Sequence, residues 1–285
     1  MSKIKIISDS AGDIRYEAIE KYNIKILPIK LFFGEELVRD FYDIKYNEFY
    51  ERLNSSSEIP TTSQISPTEF YDAFKEAADE GYESVICFTL SKAASGTFNN
   101  ANLAVNMLKE DGINIDVEVV DTLGFSFIYG WPVEVAAKMA FEGATKDEIL
   151  EKIYPMFSRN VALFAVDTLK YLKAGGRIKP AVAAVGEVLD IKPILTIEDG
   201  LVNSLEKVRG RKKLISRIVS IAEEEGIKNC TDIFILHGGD ETGCQELKSA
   251  LEEKLGISVT ATTYVGPTIG VTTGDGVFAV LFYKN

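Results

Sequence analysis

A chain of 285 residues with 46% hydrophobic and 26% charged residues has the composition of a globular protein and the length of two domains. Its net charge of −12 argues against nucleic acid and against an anionic membrane surface as whole-molecule partners. Cys87, Cys230 and Cys244 form no CxxC pair and leave one thiol over in any disulfide scheme, and a single histidine, His237, removes the commonest member of zinc and acid–base constellations.

The chain opens with Ile4, Ile6 and Ile7, too little for the apolar core of a signal peptide, so a cytoplasmic protein is expected. Through the first half, short runs rich in β-branched residues alternate with helical spacing. Lys3–Ile7, Ile24–Phe33, Ser84–Leu90 and Val117–Val120 read as strands, and Arg15–Tyr22, Tyr46–Leu53, Thr68–Glu80 and Phe98–Lys109 as helices, with Pro67 placed to start the third. The greasy run Phe125–Phe141 is interrupted by Pro132, Glu134 and Lys138, so it reads as a buried helix and no integral membrane segment is expected. Strand–helix alternation predicts a doubly wound parallel sheet.

The second half has a different rhythm. Asn160–Val166 reads as a strand, Leu169–Lys173 as a helical turn closed by Gly175-Gly176, and Pro180–Leu189 as a helix. A hairpin follows, with arms Lys192–Ile197 and Leu201–Val208 around Glu198-Asp199-Gly200. Helix Lys212–Glu225, strand Asp232–Leu236, helix Glu241–Leu255 and strands Ser258–Val265 and Val277–Tyr283 complete the chain. The fold class is therefore α/β in two domains: residues 1–160 around a parallel sheet, and 161–285 around a mixed one, with the 60–70 loop expected at the boundary between them.

In parallel sheets, ligands bind beyond the carboxyl ends of the strands. Those loops carry Ser8-Asp9-Ser10, Ser91 to Thr97 and Asp121-Thr122, and Thr61-Thr62-Ser63-Gln64 precedes the Pro67 helix start. Small hydroxyls dominate all four. Each could simply cap a helix; together, at the positive end of the Phe98 helix, they could cradle a carboxylate or a phosphate. Gly96 would let the anion approach the backbone. A serine nucleophile would need a base; no G-x-S-x-G elbow surrounds any serine, which leaves a Ser–Lys pair with Lys92 or Lys173 as the weak enzymatic alternative. The glycine-rich stretch Gly266 to Gly276 lacks the P-loop lysine and is expected to precede a strand, so a phosphotransferase is the other weak alternative. The aromatic-rich stretch at Phe125, Phe127, Tyr129 and Trp131 is the best apolar lining near these loops. Between Lys170 and Lys213, ten basic residues stand against five acidic ones, a basic segment on an acidic protein.

The segments SDSAGD, TTSQISPTEF, LSKAASGTFNNA, LKYLKAGGRI, IKPIL, KVRGRKK and GPTIGVTTGDG, in this order over the full length, resemble the DegV family. The resemblance implies two α/β domains that hold a fatty acid, its carboxylate at the domain interface and its chain in an apolar tunnel. It implies a binding subunit rather than an enzyme, without cofactor or metal, that presents a C14 to C18 acid to a fatty acid kinase in phospholipid metabolism. By position, Thr62 and Ser95 would contact the carboxylate, with Ser63, Gly96, Thr97 and Lys92 nearby and Phe125 and Ile128 along the chain. Arg177 and Arg209 would lie near the head group or dock the kinase. Thr272 stands where many relatives carry a histidine, so the third contact departs from the family pattern.

Overall fold

The computed structural model describes residues 3–180 and 191–284. The chain divides into two compact units: Met1–Leu31, Leu37–Asp43 and Thr62–Ser158 form the first, and Phe32–Glu36, Ile44–Thr61 and Arg159–Asn285 the second. The last change of unit along the chain falls between Ser158 and Arg159. The 44–61 segment belongs with the later half of the chain.

In the first unit, β1 (Ile4–Asp9) lies between β2 (Lys25–Leu27) and β6 (Ser84–Thr89), and β7 (Asp116–Asp121) closes the edge; all pairs are parallel. Every residue of β1 and β6 is buried, as expected of strands covered on both faces. Helices α1 (Tyr16–Tyr22) and α5 (Phe127–Phe141) pack together, with α5 on β1, while α3 (Pro67–Asp79) and α4 (Thr97–Glu110) pack on each other and on β6. α3 starts with a capping box in which the Ser66 side chain accepts the Glu69 N–H and Glu69 accepts the Ser66 N–H, with Pro67 following. α5 is buried almost all round. Its one buried acid, Glu134, is answered by Arg15, which donates through its backbone N–H and its Nε, each at 3.0 Å.

The second unit carries a mixed sheet of order β10-β9-β8-β13-β11-β12, formed by β8 (Asn160–Ala165), β9 (Ile191–Glu198), β10 (Leu201–Arg209), β11 (Ile233–His237), β12 (Ala261–Tyr264) and β13 (Phe278–Tyr283). Among the described strand pairs of this sheet, β11 and β12 are parallel and the others antiparallel. Helices α8 (Arg211–Glu224) and α9 (Glu241–Leu255) bury Leu214, Ile218, Leu247 and Leu251 with Ile235, Val280 and Phe282 of the sheet. α2 (Tyr46–Ser55) buries Phe49, Tyr50 and Leu53, and the Tyr50 hydroxyl donates to the Val265 carbonyl at 2.9 Å.

Differences from the expected elements have local causes. The run Ile24–Phe33 is two strands, β2 and β3 (Lys30–Phe33), broken at Pro28, which has no N–H to give a ladder. Three elements went unread: β4 (Glu36–Arg39), β5 (Thr61–Ser63) and α6 (Lys146–Arg159), although Ile149, Ile153 and Phe157 mark the buried face of α6 at four-residue spacing. The hairpin turn is two residues, Asp199 and Gly200, both at positive φ (53° and 74°), rather than three. The stretch expected to precede a strand directly contains a helix, α10 (Pro267–Thr273), which packs near α7 (Lys170–Gly175). The expected helix Pro180–Leu189 lies, beyond Pro180, outside the described residues. Among the described residues no helix is long and apolar enough to cross a membrane.

Candidate functional site

Of the four hydroxyl-bearing loops, two use their hydroxyls on their own framework. Ser10 Oγ accepts the Ile29 N–H at 3.0 Å, Ser8 Oγ donates to the Asp9 carbonyl at 3.1 Å, and the buried Thr122 hydroxyl donates to the Thr89 carbonyl at 2.8 Å. The other two meet. Gln64 lies so close to Gly96 that a methyl there would collide with its Oε1, and Asn100 Nδ2, on α4, donates to the Ile65 carbonyl at 2.8 Å. The segment carrying Thr62 and Ser63 thus lies against the segment carrying Ser95, Gly96 and Thr97.

Ser95 is half-buried just before α4; its Oγ sits 2.9 Å from Thr97 Oγ1 and accepts the Thr97 N–H at 3.2 Å. Thr97 itself is fully buried and so supports Ser95 from below. Gly96 is the N-cap of α4 and has no side chain to close the helix, which leaves the positive end of a 14-residue helix beside the Ser95 hydroxyl. Thr62 and Ser63 are half-buried, with the Ser63 hydroxyl 3.5 Å from the Gln64 carbonyl. Lys92 is exposed on this loop, where its ammonium pairs with Asp121 at 3.4 Å and lies 5.7 Å from the centre of the Phe98 ring.

Phe125 and Ile128 are both buried, immediately after the loop whose Gly124 carbonyl accepts the Ser91 N–H at 3.1 Å. They directly follow the segment that is bonded to the root of the hydroxyl loop. Leu123 and Ser126 in this connection both have positive φ (52° and 53°), a conformation that non-glycine residues adopt at a cost in strain.

The remaining candidates lie in the second unit. Thr272, on α10, packs on Gly175, where an added Cβ would meet its Cγ2 at 3.1 Å. Arg177 follows Gly176, donates to the Gly175 carbonyl, and accepts the Val202 N–H at 3.0 Å through its own carbonyl. Thr272 and Arg177 therefore share a neighbour. Arg209 does not join them: it is exposed, seven residues beyond Val202 along β10, on the order of 20 Å away at about 3.3 Å per residue. The glycines of 266–276 serve packing, because methyl groups at Gly270, Gly274 and Gly276 would run into Tyr50, Tyr171 and Asp167.

Sequence reasoning placed Asp9 and Asp121 in the candidate loops but gave these acids no role. Asp9, fully buried, accepts the Tyr129 hydroxyl at 2.5 Å, the Leu90 N–H at 2.7 Å and the Ala11 N–H at 3.0 Å. Burial pushes its carboxyl up to about 6, against the pull of those three donors; the Tyr129 hydroxyl and the buried Cys87 thiol are pushed up as well. The signal was an acid closing an isoleucine-rich strand.

A family model described as "Uncharacterised protein, DegV family" matches residues 3–285. The chain belongs to the DegV family. The DegV domain-containing protein TTE1491 of Caldanaerobacter subterraneus subsp. tengcongensis is 34% identical over the whole of both chains. Among solved structures, DegV of Bacillus subtilis, described as a fatty acid binding protein, superposes with a TM-score of 0.87 at 30% identity, covering both chains completely. A stearic acid-binding protein from Eubacterium ventriosum superposes with a TM-score of 0.89 at 27% identity, over 100% of this chain and 99% of the other. The parallel and mixed sheets described above are thus those of DegV structures, and the expected fold class and family hold.

Proposed function

We propose that this DegV protein binds a long-chain fatty acid, with Thr62 and Ser95 as hydrogen-bond donors to the carboxylate and Phe125 and Ile128 along the first part of the chain. The observation that carries the reading is the meeting of the Thr62 segment and the Ser95 segment at the amino end of α4, in a chain similar over its full length to fatty-acid-binding proteins. Ser95 has Thr97 as its hydroxyl neighbour, a partner that cannot serve as a base, which disfavours an esterase. Burying about 15 methylenes at ~0.8 kcal/mol each contributes on the order of 12 kcal/mol gross, against about 1.5–3 kcal/mol for each hydrogen bond to a charged head group. The tail supplies most of the affinity and the hydroxyls set its orientation.

In this reading the protein is a cytoplasmic, non-catalytic subunit. It presents a C14 to C18 acid to a partner kinase that makes the acyl phosphate, with the acyl group destined for phospholipid. Arg209, exposed at the end of β10 in the basic segment, is suited to docking such a partner. Native mass spectrometry of the purified protein tests the first step: co-purified C14 to C18 acids are expected. An apo protein that hydrolyses activated esters would favour the esterase instead.

A further inference from the structure

The Ser95 loop leaves the sheet between two carboxylates. Asp9 ends β1 and Asp121 ends β7, and these strands flank β6 in parallel register. Asp9 Oδ2 accepts the Leu90 N–H at 2.7 Å, and Asp121 Oδ1 accepts the N–H groups of Lys92 at 3.1 Å and Leu123 at 3.2 Å. Between them the Ser91 N–H goes to the Gly124 carbonyl. Three consecutive amides at the root of the loop are therefore fixed from both sides. Ser91 carries the order onward, its hydroxyl accepting the Ala93 N–H at 3.2 Å and its carbonyl those of Ala94 and Ser95, each at 3.1 Å.

A neutral carbonyl satisfies a backbone amide, as Gly124 does for Ser91. A carboxylate at 0% exposure, as at Asp9, is a costly substitute, and Asp121, mostly buried beside Lys92, repeats the arrangement two amides further on, which calls for a reason beyond folding. Charge-assisted bonds are shorter and stronger than neutral ones and hold a loop more rigidly. We propose that Asp9 and Asp121 are positioning residues for the head-group loop, fixing Ser95 and the amino end of α4 in one geometry before a ligand carboxylate arrives. Binding then spends little free energy on ordering the loop. The inference rests on the fatty-acid reading above and adds two acids to it.

Palmitate and hexadecanol share a chain and differ at the head group, so their affinities separate positioning from general damage. Asp9→Asn keeps side-chain size but, with its oxygen held by Tyr129 and Ala11, puts an N–H2 group against the Leu90 N–H, and Asp121→Ala removes the one oxygen that takes both the Lys92 and Leu123 amides. Displacement of cis-parinaric acid should show palmitate weakened about tenfold in each variant, the scale of one hydrogen bond to a charged group, with hexadecanol unchanged. Amide hydrogen exchange over residues 90–95 should quicken in both. Parallel losses for the two ligands, an undiminished preference for palmitate, or unchanged exchange would each overturn the proposal. Asp121, at the sheet edge, provides the test if the Asp9 variant does not fold. Wild-type protein that binds palmitate no better than hexadecanol would sink the head-group reading itself, while the exchange arm still tests the loop.

Discussion

At the scale of single residues, Thr62 and Ser95 are the groups whose removal reads the head group directly. Ser95→Ala or Thr62→Ala should weaken fatty-acid binding by about tenfold or more, at ~1.5–3 kcal/mol for each lost bond, without abolishing it. Retention of full affinity by the double variant in a displacement titration would remove both from the site. Asp9 makes a different prediction, in pH. Its folded carboxyl titrates at about 6, above the ordinary 3.8, so between those values the folded protein keeps a proton that the unfolded chain has released. Its contribution to stability therefore declines as pH rises through that window, and from there upward the buried charge costs roughly 3 kcal/mol. Asp9→Asn lacks this titration, so its stability relative to wild type should climb from pH 4 to pH 6.5 and then level off in denaturant melts; a constant difference would mean that Asp9 does not titrate there. Thr62 and Ser95 stand out from the other loop hydroxyls only through the resemblance to the family, because a small hydroxyl before a helix serves equally well as a cap. The role of Asp9 could not be read at all, because it depends on Leu90 and Tyr129, 81 and 120 residues away.

At the scale of elements, periodicity carried most of the fold. β6, β13, α3 and α9 lie within a residue or so of where spacing places them, since each has a single face or core to fill. β4 and β5 were illegible because strands of three or four residues have too few positions to show alternation, and α10 because its glycines read as a turn. Gly270 allows that helix to lie against Phe49 and Tyr50. Gly130 in α5 gives a sharper test. Alanine in a helix interior ordinarily favours the fold by about 1 kcal/mol, but here its methyl would strike the Gly12 carbonyl oxygen, a backbone atom with little room to move. Gly130→Ala should therefore destabilise the first unit by roughly 1–3 kcal/mol or more in urea melts, and a stabilised variant would show that the turn at Gly12 is looser than described.

At the scale of the whole molecule, a ligand that binds only the folded state adds stability in proportion to the logarithm of its saturation, about 2.7 kcal/mol at a hundred times its dissociation constant. Stripping bound lipid should lower the thermal midpoint by several degrees, and adding palmitate should restore it; an unmoved midpoint would argue that no acyl chain fills the fold. The assignment of 44–61 to the second unit has its own consequence, in the order of synthesis. Phe49, Tyr50 and Leu53 leave the ribosome early, yet residues they pack against, Val265 and Gly270, emerge more than 200 positions later. Throughout that interval the apolar face of α2 lacks these partners and has early neighbours such as Phe33 beside Phe49 instead, so the nascent chain must be shielded by a chaperone or by transient collapse. A fragment ending at residue 160 would lack those later partners indefinitely. It should bind hydrophobic dyes and aggregate on expression, whereas co-expression with a 161–285 fragment should rescue it.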